Sequence, residues 1–245
     1  MEISLLTDIG KKRSNNQDFV NQYQNQSGIN LIVLADGMGG HRAGNIASEL
    51  TVTDLGKQWS ATDYTDVNNI RDWMLVTIEA ENQKIHALGH SEAFSGMGTT
   101  IEVLAFVKDV VLYAHVGDSR IALIRDGEYK QLTSDHSLVN ELVKAGQLTE
   151  EEAAVHPQRN IITQSIGQAG PLDIDLGIQP LQEGDYILVN SDGLSNMVNP
   201  ERKLEIILSD QSLAAKAQAL VDAANDAGGL DNISVALIAY SEEDD

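Results

Sequence analysis

The 245-residue chain contains no cysteine, which removes disulfides, thiolate nucleophiles and cysteine-ligated zinc together. Basic charge is scarce. Sixteen Lys and Arg stand against 37 Asp and Glu, a formal net charge of -21, and without a basic face neither sequence-independent nucleic-acid binding nor adhesion to an anionic membrane is expected. No apolar run approaches the ~20 residues of a membrane-spanning helix, so no membrane insertion is expected. The opening MEISLLTDIGKKRSNNQD puts its short apolar piece before the positive charges and carries Glu2 and Asp8, the reverse of a signal peptide, so the expected location is the cytoplasm. No GxxxxGK[ST], GxGxxG or HExxH pattern occurs, which takes support from nucleotide-cradling and zinc-peptidase readings.

The length suits one domain with a substantial core, and no repeat or Pro/Ser-rich linker divides it. Strand-like runs are dense between Thr99 and Thr133: TTIEVLAFV, VVLYAHVG, SRIALIR and EYKQLT, with two-residue turns at Lys108-Asp109 and Asp126-Gly127. They predict an antiparallel meander, and further strands are expected over 4–7, 30–35, 185–190 and 233–240. Helical spacing places Ile70, Trp73, Met74, Thr77, Ile78, Ile85 and Leu88 on one face, and Leu213, Ala217, Leu220, Val221 and Ala224 on another. The segment 137–170 has short helical patterns and few strongly apolar residues, as a surface excursion over a site would. This is not the βαβα rhythm of a doubly wound sheet; packed antiparallel sheets with helices outside, an α+β fold, are expected.

The polar punctuation is more specific. LIVLADG ends an apolar run at Asp36, YILVNSDG ends one at Asp192, YAHVGDSR sets Asp118 at a corner, GGLDNISVALIAY sets Asp231 before a strand, and KKRSNNQD brings Asp18. One Asp-Gly is ordinary turn chemistry. Five carboxylates meeting at one sheet edge could not all stay ionised without cations. Hard oxygen ligands without cysteine favour Mg²⁺ or Mn²⁺, with Ca²⁺ possible, and Gly37 can lend its carbonyl because no side chain blocks the approach. Arg13 can hold a phosphate oxygen through its forked donors, or be an exposed basic residue on an acidic protein. His41, after the glycines, is a candidate proton donor or a surface residue.

In order along the chain, TDIGKKRSNNQD, VLADGMGGHRAG, GMGTTIEVL, HVGDSR, LTSDHS, HPQRNIITQSIG, ILVNSDGL and DNISV resemble the motifs of the bacterial metal-dependent type 2C serine/threonine protein phosphatases. The resemblance implies a central antiparallel β-sandwich flanked by α-helices in four layers (α-β-β-α), and a two-ion Mn²⁺ or Mg²⁺ centre at one end of it. Asp18, Asp36, Asp192 and Asp231 then look like metal ligands, Gly37 supplies a carbonyl, Arg13 contacts phosphate, and Asp118 shares a third ion with Asp192; 137–170 resembles a flap. The implied chemistry is in-line attack on phosphorus by a water that the two ions acidify, on phosphoserine and phosphothreonine of proteins, opposing a Ser/Thr kinase, in a chain expected to be a monomer. Met38 stands where eukaryotic members carry the histidine proposed as general acid, which leaves that task to His41 or a metal-bound water. A phosphatase of small phosphoesters and a non-catalytic metal-binding module are the competing readings.

Overall fold

The computed structural model describes residues 1–39 and 43–241; His41 lies outside the described residues. All strand pairings are antiparallel. One sheet runs β1 (Glu2–Asp8), β11 (Ile233–Ala239), β10 (Tyr186–Asn190), β7 (Arg120–Arg125), β8 (Glu128–Gln131). The other runs β2 (Asp18–Gln24), β3 (Asn30–Met38), β5 (Ile101–Val107), β6 (Val110–Val116), β9 (Asp175–Pro180), with the short β4 (Gly98–Thr99) paired to the end of β3.

The two-residue period of the strands builds the layers. In β3, Leu31, Val33 and Ala35 pack under the long helices α1 (Ala43–Ser60) and α2 (Val67–Gly89), while Ile32 and Leu34 face the other sheet. In β11, Ile233, Val235 and Leu237 face α6 (Pro200–Ile207) and α7 (Leu213–Asp226), and Ala236 and Ile238 turn inward. Strands covered on both faces need apolar residues at every position, which is why LIVLA and ISVALIA show no alternation. Each fully buried large side chain of this kind stabilises the fold by roughly 1.5–3 kcal/mol. The result is the four-layer α-β-β-α sandwich expected. No helix among the described residues is long and apolar enough to cross a membrane.

Three expectations need correction. The predicted meander is two hairpins in different sheets: β5 pairs with β6 and β7 with β8, but β6 and β7 do not pair. The chain crosses between sheets at Gly117-Asp118-Ser119, where Gly117 takes φ +123, a left-handed conformation that costs glycine little. The two turns themselves are as expected, with Lys108 and Asp126 at φ near +50. Two strands were missed: DFVNQYQ (β2) is mostly polar and DLGIQP (β9) is an edge strand with exposed residues between half-buried ones, so neither carries a burial signal in its composition.

Gly37 and Gly44, at the two ends of GMGGHRAG, have a packing role. A Cβ on Gly37 would lie 2.1 Å from the Gly44 carbonyl oxygen. The first turn of α1 therefore touches the end of β3 backbone to backbone, which only a missing side chain permits. Segment 137–170 carries the short helices α3 (Leu138–Lys144) and α4 (Glu150–Ala154); its returning strand is bridged to Thr99 through Ile166.

Candidate metal centre

Antiparallel pairing brings one end of the sandwich together from β2 (first residue), β3 (near its last), the β6–β7 crossing, the residue after Ser191 beyond β10, and the approach to β11. These are the positions of Asp18, Asp36, Asp118, Asp192 and Asp231. Asp18 and Asp36 stand opposite each other in the β2–β3 register. Asp192 opens the four-residue helix α5 (Asp192–Ser195).

Three of the five aspartates are held from behind by hydrogen bonds. Asp36 is fixed through its backbone, whose N–H donates to Thr100 Oγ1 (2.9 Å) and whose carbonyl accepts from Thr99 Oγ1 (2.8 Å) and the Thr100 N–H (2.9 Å). Asp18 accepts from Ser191 Oγ through Oδ2 (2.7 Å), and Ser191 Oγ in turn accepts from the Ser234 N–H (2.9 Å). Asp231 Oδ1 accepts from the Asn232 N–H (2.9 Å), and Oδ2 from Arg13 Nη2 (2.5 Å). Buried Asn232 ties the Arg13 loop to this corner: its Nδ2 donates to the carbonyls of Ile9 and Asn15, and its Oδ1 accepts from the Gln17 N–H. Ser191, Thr100 and Asn232 were not among the predicted site residues, although SDGL and DNISV place two of them beside a predicted ligand.

The electrostatics set this corner apart. Burial first, and then the charges of Asp192 and Asp231, push Asp18 up to about 7, although hydrogen bonds from Ser191 and Ser234 oppose this. Asp36 is raised well above the carboxylate range by burial and by Asp18, Asp192, Asp118 and Asp231. Asp118 reaches about 7 through burial and Asp192. Asp192 reaches about 6 through burial and Asp231, offset by a hydrogen bond with Asp36 and by Arg13 and Arg120. The side chains thus interact as one group. Yet Asp18 Oδ1 and Asp192 Oδ1 are buried without a hydrogen-bond partner among the described residues. Buried carboxylate oxygens with no donor are costly unless a cation satisfies them, and an all-oxygen set fits a hard divalent ion. The structure brings together all five predicted aspartates and Arg13, with Gly37 next in chain to Asp36.

A second cluster beside it has metal-like spacing. His115, His136 and Asp175 offer ligand atoms all within 4.8 Å of one another. Their protons are already committed. His115 Nδ1 meets Glu102 Oε1 at 2.8 Å and Nε2 meets the Ser134 carbonyl at 3.3 Å; the carbonyl only accepts, so Nε2 donates, and the proton between Nδ1 and Oε1 is shared between an imidazolium charge on the ring and a Glu102 carboxyl that burial pushes up to about 7. Burial opposes that charge, but Glu102 outweighs it and the pKa is raised. His136 Nδ1 accepts from the Gly117 N–H (3.2 Å), so its proton sits on Nε2, 3.3 Å from Asp175 Oδ2. Neither ring has a lone pair to give a metal. This network instead braces the crossing: the His136 backbone N–H donates to the Gly117 carbonyl (2.7 Å), and Arg120 is held by both Asp135 oxygens through its Nε–Nη2 edge.

Comparison with known proteins agrees with this geometry. The protein phosphatase 2C profile matches residues 10–226. The protein phosphatase PhpP of Streptococcus pneumoniae is 62% identical over 244 residues, covering 100% of this chain and 99% of that protein. The serine/threonine phosphatase of S. agalactiae superposes with a TM-score of 0.96 at 64% identity, covering 98% of this chain and 99% of the other. The catalytic domain of the serine/threonine protein phosphatase PstP, in complex with two manganese ions, superposes at 0.84 with 33% identity and 96% coverage of both chains. With the profile spanning most of the chain and whole-length relatives at this identity, the chain belongs to the protein phosphatase 2C family.

Proposed function

We propose that Asp18, Asp36, Asp118, Asp192 and Asp231, with the carbonyl of Gly37, are the metal ligands of this metal-dependent serine/threonine protein phosphatase, and that Arg13 binds the substrate phosphate. The observation that carries the assignment is the pair of buried oxygens, Asp18 Oδ1 and Asp192 Oδ1, that find no donor among the described residues, inside a group of mutually repelling carboxylates. The two manganese ions of PstP support Mn²⁺ or Mg²⁺ as the occupants. Bound divalent ions supply positive charge for the phosphoryl oxygens and an acidified water near neutral pH.

The chain's own residues do the rest. Ser191 and Asn232 hold Asp18 and Asp231 in place, so that the centre is formed before substrate arrives. Arg13, about half exposed and already bonded to Asp231, can turn its second guanidinium edge to a phosphate. The negative protein makes this local positive charge necessary for a phosphoprotein to approach. Met38 has no proton to give, and His41 or water at the centre protonates the leaving seryl or threonyl oxygen. The same reading makes 137–170 a flap on a single catalytic domain. It takes a Ser/Thr kinase as the opposing enzyme, and a cytoplasmic monomer as the working form.

The test is hydrolysis of a phosphothreonine peptide with Mn²⁺, with Mg²⁺ and with excess EDTA. Turnover should require the cation and return on its re-addition. Full turnover in EDTA would remove the metal assignment, and preference for small phosphoesters would redirect the substrate.

A further inference from the structure

The exit of α2 carries two histidines that the phosphatase chemistry does not use. His86 lies in the last turn and His90 is the cap residue, whose backbone stays helical at φ -74 and ψ -16. The i, i+4 spacing therefore sets the two side chains on one face, and their rings touch, with centroids 4.7 Å apart at 74°. His90 is exposed and His86 partly so.

The tautomer of His86 is fixed by its partner. Nδ1 lies 3.0 Å from the Gly167 carbonyl oxygen, and a carbonyl only accepts, so the ring proton is on Nδ1 and Nε2 keeps its lone pair. A ring nitrogen bonded to a backbone carbonyl, with the other left free, is the arrangement that metal-ligating histidines adopt. It is the opposite of His115 and His136, whose partners leave no lone pair. No hydrogen-bond partner for His86 Nε2 or for the His90 ring is found among the described residues.

We infer that His86 and His90 form a chelating site for a borderline divalent cation of the Zn²⁺ type, separate from the carboxylate centre, with water completing the coordination. Imidazole pairs suit Zn²⁺, Ni²⁺ and Cu²⁺, whereas the aspartates suit Mg²⁺ and Mn²⁺, so the two sites differ in chemistry as well as place. The site also joins a structural clasp. One turn earlier on the same row, Asn82 accepts from the Gly167 N–H (2.7 Å) and donates to the Gly170 carbonyl (3.1 Å). A cation on His86 Nε2 withdraws charge from the ring and strengthens the Nδ1–H bond to Gly167. The neighbouring Ile166 is bridged to Thr99, whose hydroxyl bonds the Asp36 carbonyl. The cation thus tightens the segment that backs the end of β3. None of this depends on the roles given to the aspartates.

The experiment is a calorimetric titration of the full chain, saturated with Mg²⁺, with Zn²⁺, repeated on His90→Gln, His86→Gln and Asp231→Asn, with the histidine ring resonances followed by NMR. The expected result is a Zn²⁺ that binds wild type and Asp231→Asn alike, shifts the His86 and His90 signals, and binds at least ~10-fold more weakly when either ligand is replaced. His90 is exposed, so His90→Gln tests the site without a folding cost. Unchanged Zn²⁺ binding in His90→Gln, binding lost only in Asp231→Asn, or no Zn²⁺ bound by the wild type would each overturn the proposal.

Discussion

Two clusters of buried ionisable groups lie at the same end of the sandwich, and they solve the cost of burial in different ways. In the Glu102–His115–His136–Asp175 cluster the partner is built in: His115 and Glu102 share one proton across a 2.8 Å contact and the other ring N–H groups have acceptors, with Glu102 Oε2 the exception. Among the described residues the cations near the five aspartates are Arg13, spent on Asp231, and Arg120, spent on Asp135, and two buried carboxylate oxygens have no hydrogen-bond partner there. A buried charge with its partner in the chain braces the fold. A buried charge without one is a vacancy for a ligand. Metal-like spacing alone does not separate the two clusters; proton accounting does.

The largest effect should come from breaking the aspartate side. Asp192→Asn removes one negative ligand from the point where Asp36, Asp118 and Asp231 all interact. It should lower kcat by ~10² or more, given how much charge stabilisation metals supply at such centres, and should weaken Mn²⁺ binding in calorimetry. Wild-type turnover in this variant would mean that the cluster is not the centre.

Breaking the other side should cost stability and leave the metal count alone. Glu102→Ala leaves His115, fully buried, without its counter-ion, and removing one partner of a buried pair costs about 3–5 kcal/mol. Urea unfolding should show this loss, while Mn²⁺ stoichiometry of the folded fraction stays that of wild type. Loss of bound Mn²⁺ at unchanged stability would reverse the roles given to the two clusters.

The ease with which each cluster could be read in the sequence differs for the same physical reason. Asp36 and Asp192 follow apolar runs, and Asp118 and Asp231 precede them, because strands that end in the core deliver their last polar residue to the sheet edge. Such positions are visible in one dimension. The layers are legible too, since the runs LIVLA and VALIA are apolar at every position, as strands covered on both faces require. Asp18 was harder, because its strand DFVNQYQ gives no burial signal. Glu102 and His115 face each other in the β5–β6 hairpin, so the turn at Lys108-Asp109 already pairs them, whereas Asp175 and His136 come from β9 and the 134–136 turn, and only the sheet order shows that they join. Nor could local spacing show that VVLYAHVG and SRIALIR part company at Gly117: a short connection looks like a hairpin until each strand has found a different neighbour.

The contrast also has a pH signature. In the metal-free protein the aspartate pKa values are raised, Asp18 and Asp118 to about 7 and Asp192 to about 6, against 3.8 when unfolded. Between about pH 4 and 7 the folded chain therefore holds more protons than the unfolded chain, so this contribution to stability falls as pH rises and is gone above about 7. EDTA-treated protein should melt at a lower temperature at pH 8 than at pH 5.5. Mn²⁺ should raise the melting temperature more at pH 8, where it need not displace protons. A melting temperature of the metal-free protein that does not change across this range would mean the carboxylates are neutralised from within, as the His115 cluster is.

The smallest expected effect, and the one that sharpens the comparison most, concerns Asp118. It stands between the two clusters: Asp192 raises its pKa on one side, and on the other His136 and Asp135 clamp its neighbours Gly117 and Arg120. The family resemblance implies that it holds a third ion, shared with Asp192, and the proposal leaves Asp36 and Asp231 to the core pair. Asp118→Asn removes one carboxylate charge and leaves the bracing hydrogen bonds intact, since those run to backbone and to Arg120. Two ions should remain bound by calorimetry, the fold should keep its melting temperature within a few degrees, and turnover should fall because the third ion is lost beside a site that has Met38 in place of an acid. If all metal is lost, Asp118 belongs with the core aspartates. If turnover and metal count are unchanged while the melting temperature falls by more than a few degrees, it belongs to the bracing cluster, and the boundary between the two solutions to buried charge runs on the other side of this residue.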